Sequence, residues 1–119
     1  MNPNPTPTIG QQAEALRLVA LLAAENPLLP APYVVFHTYW ATSVTFQVDH
    51  WEFEAWREAL GFDVEGVELK SNGDSWLSVQ GLVVRSVDGR DVAATIKLAG
   101  CGLPALSERP ADELLERAA

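Results

Sequence analysis

A chain of 119 residues fits one domain with one core, and a 48% hydrophobic, 20% charged composition is that of a globular chain rather than a disordered one. The net charge of −8 opposes non-specific attraction to phosphate backbones or anionic lipid, and the eight Lys and Arg residues are scattered from Arg17 to Arg117 without forming a patch. The single cysteine, Cys101, excludes an intrachain disulfide. The longest apolar stretch, Leu16 to Ala24, contains Arg17 and is too short to span a bilayer, and Met1 to Thr8 has neither the basic nor the apolar run of a signal peptide. A cytoplasmic protein is expected.

In chain order, Asn2-Pro3-Asn4-Pro5-Thr6-Pro7 alternates proline with small polar residues, so residues 1–8 are expected to be a flexible tail and 9–119 a single domain. A first helix starts near Thr8, with Gln11 as its capping-box partner, and stops at Asn26-Pro27, because a residue before proline is pushed out of the helical region. Tyr33 to Thr38 and Ser43 to Val48 are β-branched and aromatic, and they form a hairpin turning near Tyr39 to Thr42. Asp49 and Glu52 make a capping box, with Val48 and Phe53 as the hydrophobic staple. The spacing predicts a helix over Asp49 to Leu60, stopped by Gly61.

Strands follow at Gly66 to Lys70, Ser75 to Arg85 and Asp91 to Ala99, separated by Asn72-Gly73 and Asp88-Gly89. Both pairs are of the kind that takes positive φ at each position of a tight hairpin turn. Pro110 to Arg117 reads as a short helix with proline at its first position and acids in the first turn. The order α-β-β-α-β-β-β-α predicts an α+β fold, an antiparallel sheet of about five strands with helices on one face. Val34, Phe36, Val44, Phe46, Phe53, Trp56, Leu60, Leu77, Val79 and Ile96 are the expected core.

Little in the sequence carries catalysis. His37 and His50 stand apart from each other and from Cys101, without the spacing of a zinc site, and no phosphate loop, dinucleotide fingerprint or serine elbow occurs. Cys101, between Gly100 and Gly102, has no base or positive charge nearby in sequence to activate it. No enzyme activity, catalytic residue, metal or cofactor is expected.

Two surfaces stand out. At about 100° per residue, Phe53, Trp56, Ala59 and Leu60 share one arc of the second helix, while Trp51 falls beside Glu54 and Glu58 on the other. An exposed tryptophan among carboxylates suits a partner with an apolar pocket ringed by Arg or Lys. The alternative folds Trp51 back over the hairpin near Trp40. In the first helix Ile9, Leu16, Val19, Ala20 and Ala23 share one face, and Leu18, Leu21 and Leu22 the other. The second stripe calls for a second partner: the C-terminal helix with Leu114 and Leu115, or another copy, which makes Leu18, Leu21 and Leu22 a candidate homodimer interface.

The run Leu29-Pro30-Ala31-Pro32-Tyr33, followed by Trp56-Arg57-Glu58-Ala59-Leu60-Gly61, resembles short hypothetical proteins of GC-rich actinobacteria and their prophages. The resemblance implies a source of that kind and no activity, cofactor or site residue.

These observations favour a non-catalytic protein-interaction or regulatory domain whose partner is another protein or a second copy of itself, not nucleic acid or a membrane. It would act through Trp51, Glu54 and Glu58, or through an open sheet face carrying Tyr33, His37, Thr45, Gln47, Trp76, Ser78, Gln80 and Thr95. The alternatives are an acidic inhibitor of the phage or plasmid type that imitates nucleic-acid charge, and a small-molecule-binding domain. For the former, eight acids between Asp49 and Asp74 against Arg57 and Lys70 place −6 of the charge in one stretch.

Overall fold

The computed structural model describes residues 6–37 and 40–103. They form α1 (Ala13–Glu25), β1 (Tyr33–Phe36), β2 (Ser43–Asp49), α2 (Phe53–Leu60), β3 (Glu68–Asn72), β4 (Asp74–Val87) and β5 (Arg90–Leu103), with 3-10 turns at His50–Glu52 and Val64–Gly66. The fold is α+β: one mixed sheet in the order β1-β2-β5-β4-β3, with both helices packed into one core on one face. The expected helix at Pro110 to Arg117, with Leu114 and Leu115, lies outside the described residues, as do residues 1–5 of the tail. Among the described residues no helix is long and apolar enough to cross a membrane.

Local signals set the element ends. The Thr8 backbone N–H donates to Gln11 Oε1 at 2.9 Å and the Gln11 N–H donates to Thr8 Oγ1 at 3.2 Å, although regular α-helix begins only at Ala13. The Asp49–Glu52 capping box is present, with Glu52 Oε1 accepting from the Asp49 N–H at 3.1 Å. Its first turn is 3-10 rather than α, which is common at helix starts. Gly61 ends α2 in the left-handed region at φ 76°. Asp88 (φ 51°) and Gly89 (φ 77°) both take positive φ between paired Val87 and Arg90, as the hairpin requires. At Asn72-Gly73 only Gly73 does so, at φ 81°, and Asn72 stays in β3 paired with Asp74.

The sheet is not purely antiparallel. β1–β2, β3–β4 and β4–β5 are antiparallel hairpins, but β2 and β5 run parallel from Ser43↔Thr95 to Asp49↔Cys101. The cause is α2, which carries the chain back so that β3 starts in the direction of β2 but at the far edge. Two hairpin turns later β5 has the same direction, and it enters between β2 and β4.

Alternation along the central strands sends Val44, Phe46 and Val48 of β2, Val79 and Val83 of β4, and Val92, Ala94, Ile96 and Leu98 of β5 under the helices. Of the expected core, Val34, Phe36 and Leu77 are only partly buried and pack against its margin. Gly100 continues the β5 series without a side chain. A Cβ built there would lie 2.9 Å from Phe53 Cδ2 and 3.0 Å from Phe53 Cβ, so α2 sits directly on the β5 backbone.

The two stripes of α1 are assigned oppositely to the expectation. Leu18 and Leu22 are fully buried and Leu21 is half-buried against the same core, whereas Ile9, Leu16, Ala20 and Ala23 are exposed. A homodimer interface through Leu18, Leu21 and Leu22 is therefore ruled out, because the sheet of their own chain covers them. Ala15, Leu18 and Leu22, spaced along one face of α1, join the core cluster that holds Val83, Val92, Ala94 and Ile96 of the sheet, and α1 packs on β5 and β4.

Three substitutions check this packing. Gly100→Ala should cost about 1–3 kcal/mol by forcing Phe53 outward, whereas Gly66→Ala, whose Cβ would be an ordinary 3.6 Å from Val79 Cγ2, should stay within about 0.5 kcal/mol. Leu18→Ala should cost about 2–5 kcal/mol as a core cavity. Urea denaturation reads all three.

Candidate functional site

Trp51 occupies the 3-10 turn between β2 and α2, a position held by the capping box before it and by Phe53 after it. Its side chain is 70% exposed and stands edge-on to the His50 ring at a centroid distance of 5.1 Å. Trp56, in contrast, is 3% exposed. It meets Phe46 edge-on at 5.3 Å, and its Nε1–H donates to the Pro30 carbonyl at 2.8 Å, tying the proline-rich loop to α2. The arc arithmetic thus sorts the two tryptophans as expected, one into the core and one to the rim.

The three candidate binding residues are all exposed, Trp51 in the 3-10 turn and Glu54 and Glu58 on α2, but they differ in availability. Glu54 is engaged by Arg57, whose Nε donates to Glu54 Oε2 at 2.8 Å and whose Nη1 donates to the Phe62 carbonyl. That hydrogen bond, reinforced by the guanidinium charge, lowers the Glu54 pKa below its ordinary value. Glu58 lies 3.9 Å from the same guanidinium and remains open to solvent. Trp51 and Glu58 are therefore the more open part of this surface, while Glu54 is held by Arg57 at hydrogen-bond distance.

Several acids of the 49–74 stretch also have internal work. Asp49 and Glu52 cap α2, Asp63 Oδ1 accepts from the Glu65 N–H at 3.0 Å, and Glu68 pairs with Lys70 at 2.7 Å, which lowers its pKa. They are spread over α2, the following turn and β3 rather than ranked along one line.

The sheet face away from the helices is bare among the described residues. Registers across it run Tyr33–Gln47–Ala99–Ser78–Glu68, then Val35–Thr45–Lys97–Gln80, then Ser43–Thr95–Leu82. Tyr33 is 80% and Leu82 68% exposed there, with Val35 and Val84 also open. Tyr33, Thr45, Gln47, Ser78, Gln80 and Thr95 occupy the face that alternation assigns them. What that alternation missed is Lys97, two residues beyond Thr95 and at the centre of the face.

At one end of this face β5 carries a bulge. Cys101 and Gly102 together oppose Trp76, and Gly102 takes φ 81°. Half-buried Cys101 lines a cleft of about 250 Å³ with Tyr33, Gln47, Asp49 and Glu52, a setting of acids where a nucleophilic cysteine needs a base and positive charge. His50 Nδ1 faces Gly102, 3.8 Å from where a Cβ would lie, and is the one buried side-chain nitrogen or oxygen without a hydrogen-bond partner among the described residues. His37 lies against Trp40 at 4.2 Å. No group of three or more potential metal ligands occurs among the described residues.

An apolar cleft of about 310 Å³ separates α1 from the proline loop, with Val19, Leu29, Val34 and Trp56 in its walls. The Trp56 Nε1–H is committed to Pro30 and the Asn26 amide to the Leu22 carbonyl, so this cleft supplies apolar surface but no free polar group from these two side chains to orient a ligand.

The contrast between the tryptophans is measurable. Trp51→Ala should change stability by less than about 0.5 kcal/mol, and Trp56→Ala should cost about 3–5 kcal/mol, both by chemical denaturation. Equal losses would place Trp51 in the core. Comparison with family models, with curated proteins and with solved structures finds no match for this chain.

Proposed function

We propose that this protein is a non-catalytic interaction domain that docks a partner protein through Trp51, with Glu58 at the rim of the contact. The observation that carries this reading is a large aromatic side chain, 70% exposed, on a turn closed by a capping box and set between buried Val48 and buried Phe53. Exposing an indole is unfavourable for an isolated domain, and a tryptophan pre-ordered at a surface loses little entropy when a partner covers it. The partner chemistry that fits is an apolar pocket bordered by Arg or Lys, which would meet Glu58 and compete with Arg57 for Glu54. Imitation of nucleic-acid charge is less well supported, since Asp49, Glu52, Glu54, Asp63 and Glu68 are committed within the chain.

A photo-crosslinking amino acid placed at position 51, and separately at Leu28, tests this in the native host. Leu28 is 96% exposed and serves as the control. The expected result is a discrete protein adduct from position 51 that is absent from position 28 and is lost when Glu58→Lys is added. Equal labelling from both positions would overturn the proposal.

A further inference from the structure

Both lysines of the chain, Lys70 and Lys97, line one polar cleft of about 350 Å³ on the bare sheet face, together with Gly66, Glu68, Ser78 and Gln80. This convergence comes from register rather than from sequence. Lys97 lies between Thr45 and Gln80 across its two ladders, and Ser78 lies beside Glu68 where β3 begins. No acidic residue opposes Lys97 on either side, and this half-buried residue forms no ion pair among the described residues. Lys70, by contrast, is held by Glu68 at 2.7 Å.

The other donors are unoccupied too. Ser78 is 7% exposed, the only polar residue buried among the described residues, and it lines this cleft. No side-chain hydrogen bond engages Ser78 or Gln80 among the described residues. A hydroxyl, a carboxamide and an ammonium thus line one cleft without partners among the described residues, with Ser78 and Lys97 on strands paired on both sides and Gln80 paired to Lys97. None of the three is a buried atom cut off from solvent, so each is open to a ligand, and a carboxylate that takes all three gains a charge-assisted hydrogen bond from the ammonium.

We infer that this cleft binds a small organic monocarboxylate, with Lys97 supplying the charge and Ser78 and Gln80 the hydrogen bonds. One carboxylate matches the one uncompensated positive charge, because Lys70 and Glu68 offset each other. A phosphate dianion would bring one charge too many beside Glu68, in a protein already at −8. The volume lies at the lower end of the small-ligand range, which suits an organic acid of a few carbons. This site is separate from Trp51, so it goes beyond the interaction proposed above and stands or falls independently of it.

The test is a titration of ¹⁵N-labelled protein with sodium acetate, against sodium chloride and sodium phosphate at equal ionic strength. The amides of Ser78, Gln80 and Lys97 should shift saturably with acetate at millimolar concentration and not with chloride. Lys97→Met should weaken binding roughly tenfold or more and Ser78→Ala severalfold, while Trp51→Ala leaves it unchanged. The same spectra report whether each variant is folded. Should Lys97→Met unfold, Ser78→Ala combined with Gln80→Ala gives the reading. Absence of a saturable shift, an equal shift with chloride, or variants that bind like the wild type would each overturn the site. Tighter binding of phosphate than acetate would overturn the monocarboxylate assignment.

Discussion

Phe53 rests on the bare backbone of Gly100, and from that contact the position of every other element around α2 follows. With a Cβ-equivalent distance of 2.9 Å there is no room for a side chain on β5, so the helix approaches the sheet as closely as an aromatic ring allows. That seat fixes the helix axis. Trp56, one turn on, then reaches Phe46 and the Pro30 carbonyl, and the hydrogen bond fastens the loop that leads into β1. Trp51, before the seat and within the capped 3-10 turn, is turned outward by the same geometry. Burial of one tryptophan and exposure of the other are two consequences of a single close contact.

β5 makes that contact possible because Gly100 lies in the stretch where the strand is flanked on both sides. β2 holds it from Thr95 to Cys101 and β4 from Arg90 to Leu103. The long β4–β5 hairpin runs past the end of β2, and α1 covers that extension on its inner face with Ala15, Leu18 and Leu22. Arg85 bonds Glu25 from β4 at 2.9 Å, closing the helix onto the hairpin at the surface. The outer face of the same extension keeps Leu82 and Val84 exposed.

What was legible in the sequence was whatever is decided within about ten residues. The Asp49–Glu52 box, the Gly61 stop and the Asp88-Gly89 turn each depend on neighbours in the chain, and each is present, with Val48 and Phe53 both buried in the core. The parallel β2–β5 pairing was not legible, because no local feature says whether β3, after the crossover, lands beside β2 or at the far edge. α1 offered two apolar stripes of similar quality, and the choice between them belongs to the sheet. Ile9 precedes the first α-helical residue, Ala13, so its stripe is a member short, while Ala15, Leu18 and Leu22 fall wholly inside the helix. Alternation put Ser78, Gln80 and Thr95 on the bare face. The meeting of Lys97 with Lys70 needed the β3 register as well, and a short, fully exposed strand does not announce its register.

Net charge bears differently on the two surfaces. For a partner with a basic rim approaching Trp51, the field of a −8 protein accelerates encounter, and salt slows it, but the indole contact that governs dissociation is apolar and little screened. For a carboxylate approaching Lys97 the same field is repulsive at long range, and attraction begins only inside the cleft, where the ammonium, hydroxyl and carboxamide act over hydrogen-bond distances. Salt then weakens the attraction and the repulsion together, leaving a smaller net dependence. Ionic strength therefore acts on the on-rate at one site and largely cancels at the other. That difference arises because Glu54 and Glu58 flank Trp51 in sequence on α2, while strand register gathers both lysines, with Glu68 alone of the acids, into one cleft on the opposite face of the sheet.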